Sequence, residues 1–193
     1  MMDLLKEYKR PNDKINELVK KGELTAIKKG LYIAGPKTKT LKPEPFLLAN
    51  HLWGPSYVSL ESALSYWGLI PERVYEVSSV TVRTAKTYKT PVGRFSYFHA
   101  SVPYYAFGLE SISLTPRQVV LIASAEKALC DKIIFTAGVF LRSVVQTREF
   151  LIEDLRMDDS AIRELNSEAI RSWIQKAPKR SSLEILVKTI EGL

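Results

Sequence analysis

Between Pro11 and Ala34 a short helical pattern stops at one glycine and gives way at once to two β-like segments around another. In Pro11-Asn12-Asp13-Lys14-Ile15-Asn16-Glu17-Leu18-Val19-Lys20-Lys21-Gly22, the apolar residues Ile15, Leu18 and Val19 recur at helical spacing and form one narrow stripe. Asn12 or Asp13 is placed to cap the start, and Gly22 suits the left-handed residue that stops a helix. A helix of two to three turns is expected. From Glu23 to Ala34 two short strands are expected around Lys29-Gly30, because a tight hairpin needs a positive φ that glycine adopts without steric cost.

A helix followed directly by a basic-tipped hairpin is how a winged helix-turn-helix ends. The expectation is therefore a short winged-helix-like module over residues 1–42. Only Met2–Arg10 precedes Pro11, enough for about two helical turns, so the module is expected to be an abbreviated one.

Charge reinforces this expectation. The net charge is +7, from 28 basic and 21 acidic residues. Residues 1–42 hold eleven of the basic side chains against five acidic ones, so nearly all of the excess is gathered there. A localised basic field is the footprint of a polyanion partner, most often nucleic acid. In a winged helix the helix enters the major groove and the hairpin meets phosphates or the minor groove. Lys14, Lys20, Lys21, Lys28 and Lys29 are thus candidate phosphate contacts. Asn12, Lys14 and Asn16 are placed to read bases. Asp13 and Glu17 share that face and would repel phosphates.

The Pro-, Lys- and Thr-rich stretch 35–45 reads as a linker, with the domain boundary near residue 42. The second part, 43–193, is expected to be an α+β core to about residue 140 followed by a helical tail over 141–193. A helix is expected over Phe46–Trp53, and a second over residues 60–67, capped by Ser59 and stopped by Gly68-Leu69. Tyr57, Tyr66 and Trp67 are assigned to the core. Strands are expected over Val74–Arg83 and Gly93–Ala100, with Lys86–Pro91 as a basic connection between them. Shorter ones are expected at Tyr104–Phe107 and Ile112–Leu114, and an interior one at Gln118–Ile122. A mixed or antiparallel sheet of four to six strands follows from typical sheet sizes.

Ser124 is placed to cap a helix over Ala125–Phe135, with Ala125, Ala128, Leu129, Lys132 and Ile133 on the packed face. The tail is expected to be helical over Ser143–Leu155, Ser160–Gln175 and Ser182–Ile190.

Enzyme signatures are absent: there is no dinucleotide or P-loop glycine motif, no H-E-x-x-H and no nucleophile elbow. Cys130, the only cysteine, sits in an apolar helix pattern and reads as a small buried side chain rather than a nucleophile paired with His51 or His99. His99 reads as a packed strand histidine. Asp154, Asp158 and Asp159 read as caps rather than as a metal cluster. With one cysteine and two histidines neither a metal cage nor a cofactor is expected. No apolar run approaches the roughly 18 residues of a membrane span, and residues 1–6 lack a secretory core, so a cytoplasmic protein without a membrane partner is expected.

The block Leu52-Trp53-Gly54-Pro55-Ser56-Tyr57-Val58-Ser59-Leu60-Glu61-Ser62-Ala63-Leu64-Ser65-Tyr66-Trp67-Gly68-Leu69-Ile70-Pro71-Glu72 resembles AbiEi-type antitoxins of bacterial type IV toxin–antitoxin systems. Gly54, Pro55, Tyr57, Ser59, Ser62 and Tyr66 mark it. Two flanking pieces resemble the same family: Gly22–Tyr32, like its wing, and Ala123–Asp131, like the helix after its core strand. The resemblance implies an N-terminal winged helix that binds operator DNA and represses its own operon. It also implies a C-terminal domain that counters a co-encoded nucleotidyltransferase-like toxin, with no stable complex required. The alternative is a protein-interaction module that does not bind DNA; an RNA-directed or nucleotide-modifying enzyme, suggested only by the basic field, is a third reading.

Overall fold

The computed structural model describes residues 8–72 and 74–193. Of the two turns expected over Met2–Arg10, residues 1–7 lie outside the described residues and residues 8–10 are not helical. Helix α1 (Pro11–Lys20) begins with proline, whose missing N–H is no loss in a first turn. Arg10 occupies the capping position without a side-chain hydrogen bond, so neither Asn12 nor Asp13 caps the helix. At the other end Gly22 takes φ +74°, and the Gly22 and Glu23 amides donate to the Val19 and Leu18 carbonyls, each at 3.0 Å. That pair of bonds is a Schellman stop.

Strands β1 (Leu24–Lys28) and β2 (Leu31–Ala34) form the expected antiparallel hairpin, with Gly30 at φ +85°. Its open end closes back on the helix stop. The Gly35 amide donates to the Glu23 carbonyl at 2.8 Å, and a Cβ on Gly35 would lie 2.3 Å from the Gly22 oxygen. One face of the hairpin is apolar and docked: Ile27 is buried in the main core, with Leu31 and Ile33 packed against it. The irregular segment that follows is pinned at its end by Gln118, whose side chain accepts from the Glu44 amide at 2.7 Å and donates to the Lys42 carbonyl at 3.3 Å.

The rest is an α+β unit on a six-stranded mixed sheet. Helix α2 (Pro45–Leu52), strand β3 (Ser56–Val58), helix α3 (Leu60–Tyr66) and strand β4 (Glu76–Thr81) come first. Strands β5 (Lys86–Thr90) and β6 (Gly93–His99), the short helix α4 (Val102–Tyr105) and strands β7 (Leu109–Thr115) and β8 (Gln118–Ala123) complete the sheet, in the order β5-β6-β4-β3-β8-β7. β4 runs parallel to β6 and β3 parallel to β8, while the other neighbours are antiparallel.

Two expectations fail here. Most of the segment expected as a connection, Lys86–Thr90, is the edge strand β5, because solvent-facing lysines are compatible with, and protective of, a sheet edge; Pro91 belongs to the turn after it. Tyr104 and Tyr105 close a helical turn rather than a strand, because Pro103 presets the helical φ at its start.

Helix α5 (Ala125–Phe135) is capped as expected by Ser124, which accepts from the Lys127 amide. It packs against α3, β8 and the tail. The tail comprises α6 (Val144–Glu149), continued as one π turn over Phe150–Asp154, then α7 (Asp159–Arg163), α8 (Ser167–Ile174) and α9 (Arg180–Glu191). The single helix expected over Ser160–Gln175 is divided. Asn166 accepts from the Ala169 amide at 3.0 Å and starts α8 afresh.

Candidate nucleic-acid interface

Asn12, Asn16 and Lys20 lie four residues apart on α1, so they form one row, and all three are exposed. Lys29 is exposed at the hairpin turn. Neither Lys20 nor Lys29 pairs with a carboxylate among the described residues. Lys14 and Lys21 differ: both reach Glu17, at 3.0 and 2.5 Å. Their hydrogen bonds, that from Lys21 first, hold the Glu17 carboxyl below its usual range.

Lys28, expected at the exposed tip, is instead half-buried and donates to the Leu52 carbonyl. An irregularity in the β1 register between Ala26 and Lys28 breaks the strand's alternation, so Lys28 turns to the body as the docked Ile27 does. There it meets a group drawn from distant parts of the chain. The Trp53 indole, held by its N–H to the Thr84 carbonyl at 3.1 Å, has the Lys86 ammonium 4.8 Å from its ring centroid, the Arg83 guanidinium at 4.9 Å and the Lys28 ammonium at 5.8 Å. Tyr88 adds a second ring, 4.9 Å from Lys86 and 5.8 Å from Lys28. Burial, and then the charges of Arg83 and Lys86, push the Lys28 ammonium below its ordinary pKa.

The residues of the 52–72 block are mainly structural. An added Cβ on Gly54 would meet the Asn50 carbonyl at 2.8 Å, in the turn that leads through Pro55 into β3. Ser62 Oγ donates to the Glu76 carbonyl at 3.1 Å and accepts from the Ser78 amide at 2.9 Å, tying α3 to β4. Ser59 does not cap α3 with its side chain; its hydroxyl donates to Asp131 Oδ2 at 2.7 Å. Tyr57 donates to the same oxygen at 3.0 Å and Tyr104 to Oδ1 at 2.8 Å. The Lys127 ammonium lies 3.2 Å from Oδ1 and donates to the Tyr104 carbonyl at 3.0 Å. Lys127 and Asp131 are wholly buried, so the lysine inside α5 is Lys127; Lys132, expected on the packed face, is only partly buried and pairs with Glu61. Tyr57 is in the core as expected. Tyr66 is 43% exposed, and Trp67 is half-buried, its indole N–H donating to the Ala123 carbonyl at 2.8 Å.

Cys130 is buried, and burial together with the neighbouring Asp131 pushes its thiol up to about 12. His51 and His99 are both exposed. His99 is therefore not a packed strand histidine; its Nδ1 lies 2.9 Å from the Arg83 carbonyl. Asp158 caps α7 through the Ser160 amide at 2.9 Å. No group of histidine, cysteine and carboxylate side chains suited to a metal occurs among the described residues. A cavity of about 590 Å³ lined by Glu61, Glu72, Glu76, Arg94, Lys132 and Asp154 carries both signs of charge, but its cations are engaged. Arg94 pairs with Glu76 at 2.9 Å and Lys132 pairs with Glu61.

The chain matches no protein-family model and no curated protein. No helix of the described residues is long and apolar enough to cross a membrane.

Proposed function

We propose that this chain is an antitoxin-like regulator: it binds double-stranded DNA through α1 and the hairpin, represses its own operon, and counters a co-encoded nucleotidyltransferase-type toxin. The observation that carries the DNA half is the exposed row Asn12, Asn16 and Lys20 beside an exposed hairpin turn at Lys29, with neither lysine paired to a carboxylate among the described residues. Amide side chains can read base edges and lysines can neutralise phosphates, so the row supplies both kinds of contact. The antitoxin half rests on the 52–72 block and its resemblance alone.

Labelled DNA from upstream of the reading frame, titrated with full-length protein between about 50 and 200 mM salt, tests the first half. Log affinity is expected to fall linearly with log salt. In Lys20→Gln/Lys29→Gln the slope should be shallower by about 2. No binding at low salt, or a slope unmoved by the pair, removes DNA from the reading. Co-expression with the product of the adjacent reading frame tests the second half, which predicts restored growth.

One observation favours the alternative of a protein-interaction module without DNA binding. The apolar face of the hairpin is docked on the body, which gives this segment a packing role of its own. Under that alternative Lys20→Gln/Lys29→Gln would keep full protective activity in co-expression.

A further inference from the structure

We propose that Lys28, Arg83 and Lys86, gathered around the Trp53 indole, form a phosphate-binding site at the seam between the hairpin and the six-stranded sheet. The three cations come from three places in the chain: the end of β1, the loop after β4 and the start of β5. They stand 4.8 to 5.8 Å from one ring centroid. Like charges so close repel, and no carboxylate pairs with any of them among the described residues. Attraction to the faces of Trp53 and Tyr88 offsets part of that repulsion and holds the cations in place. It leaves their N–H groups unspent. Neither the Arg83 nor the Lys86 side chain donates a hydrogen bond among the described residues, and Lys28 donates one, to Leu52.

A cationic cluster whose exposed Arg83 guanidinium and Lys86 ammonium donate no hydrogen bonds among the described residues is complementary to a phosphate, which carries the charge the cluster lacks and accepts several N–H groups at once. Lys28 belongs to the hairpin, while Arg83 lies in the loop between β4 and β5 and Lys86 begins β5. A phosphate held between them therefore ties the wing to the body. The phosphate has two possible sources, a nucleic-acid backbone or the phosphate chain of a free nucleotide. So far as it is the backbone of DNA, the inference rests on the function proposed above and extends its footprint from α1 and the hairpin onto the sheet.

The test uses full-length protein, the exposed pair Arg83→Gln/Lys86→Gln, and Trp53→Phe as an optical control, each checked for an unchanged urea midpoint. The probes are the upstream duplex and ATP, with indole emission as a second readout. Duplex affinity is expected to fall at least about tenfold in Arg83→Gln/Lys86→Gln, with a salt slope shallower by about 2, and emission should respond in wild type but not in Trp53→Phe. A duplex that binds with unchanged slope in this pair, together with emission indifferent to both probes, overturns the site and leaves the preceding reading in place. ATP that shifts Trp53 emission and is lost in Arg83→Gln/Lys86→Gln, without any duplex binding, upholds the site with a free nucleotide as its ligand and removes the DNA reading. Silence from both probes removes both.

Discussion

A carboxylate sealed from water beside a lysine is tolerable only where its lone pairs find donors, and Asp131 meets that condition with three hydroxyls and the Lys127 ammonium. Asp131→Ala strands the Lys127 charge in the interior and should cost about 3–5 kcal/mol in urea unfolding. Tyr57→Phe removes one hydrogen bond to a charged group and should cost about 1.5–3 kcal/mol. The same enclosure sets a pH dependence. Burial raises the Tyr57 and Tyr104 phenols above their ordinary 10.0, and moves the Cys130 thiol from 9.0 to about 12. These groups keep their protons in the native chain while the unfolded chain releases them, so stability is intact below about pH 9 and lost as pH rises beyond it. Burial lowers the Lys28, Lys127 and Lys179 ammoniums, which acts in the opposite sense. The change in urea midpoint from pH 8 to pH 10.5 should therefore be less negative in Cys130→Ala than in the wild-type chain, and native Cys130 should resist thiol reagents until the chain unfolds.

Helix α1 is held between two demands. Its stripe of Ile15, Leu18 and Val19 faces inward, while Glu17 on the outer side ties up Lys14 and Lys21. This acid removes two lysines from the cationic surface and repels phosphates itself. Glu17→Gln should therefore raise duplex affinity about threefold or more and steepen the salt slope by about 1, with a small loss of helix stability. Anisotropy titrations at two salt concentrations would show it. Strand β5 shows the opposite economy at a sheet edge. Lys86 and Lys89 face solvent and discourage a further strand from adding, yet Lys86 also joins the cluster on Trp53.

At the scale of the whole molecule, the N-terminal segment is not a tethered appendage. Ile27 belongs to the same buried core as Leu48, Leu52 and Tyr57, and Gln118 pins the segment that joins the two parts. Ile27→Ala should cost about 2–5 kcal/mol, as for a buried aliphatic in any core. A chain trimmed to residues 43–193 should melt several degrees below the full chain, and the full chain should unfold in one transition; scanning calorimetry distinguishes this from two independent transitions.

Signals carried by neighbours in sequence were legible: the α1 stripe and its Gly22 stop, the Gly30 hairpin, the Gly68-Leu69 stop, where Gly68 takes φ +71° and the Leu69 amide donates to the Leu64 carbonyl at 2.9 Å, the Ser124 cap and the α+β alternation. Each depends on φ preferences or on hydrogen bonds spanning a few residues. Tertiary structure alone decided where the polar groups converge. Tyr57 and Asp131 are 74 positions apart, and they meet because β3 runs parallel to β8 and α5 follows β8 onto α3. Lys28, Arg83 and Lys86 meet because Ile27 docks the hairpin on the core and β5 adds to the sheet edge. Whether a serine caps a helix or serves a buried acid, and whether a lysine faces water, a ring or a carboxylate, depends on which distant surface arrives beside it. Strand order and packing set that, and no local periodicity records it.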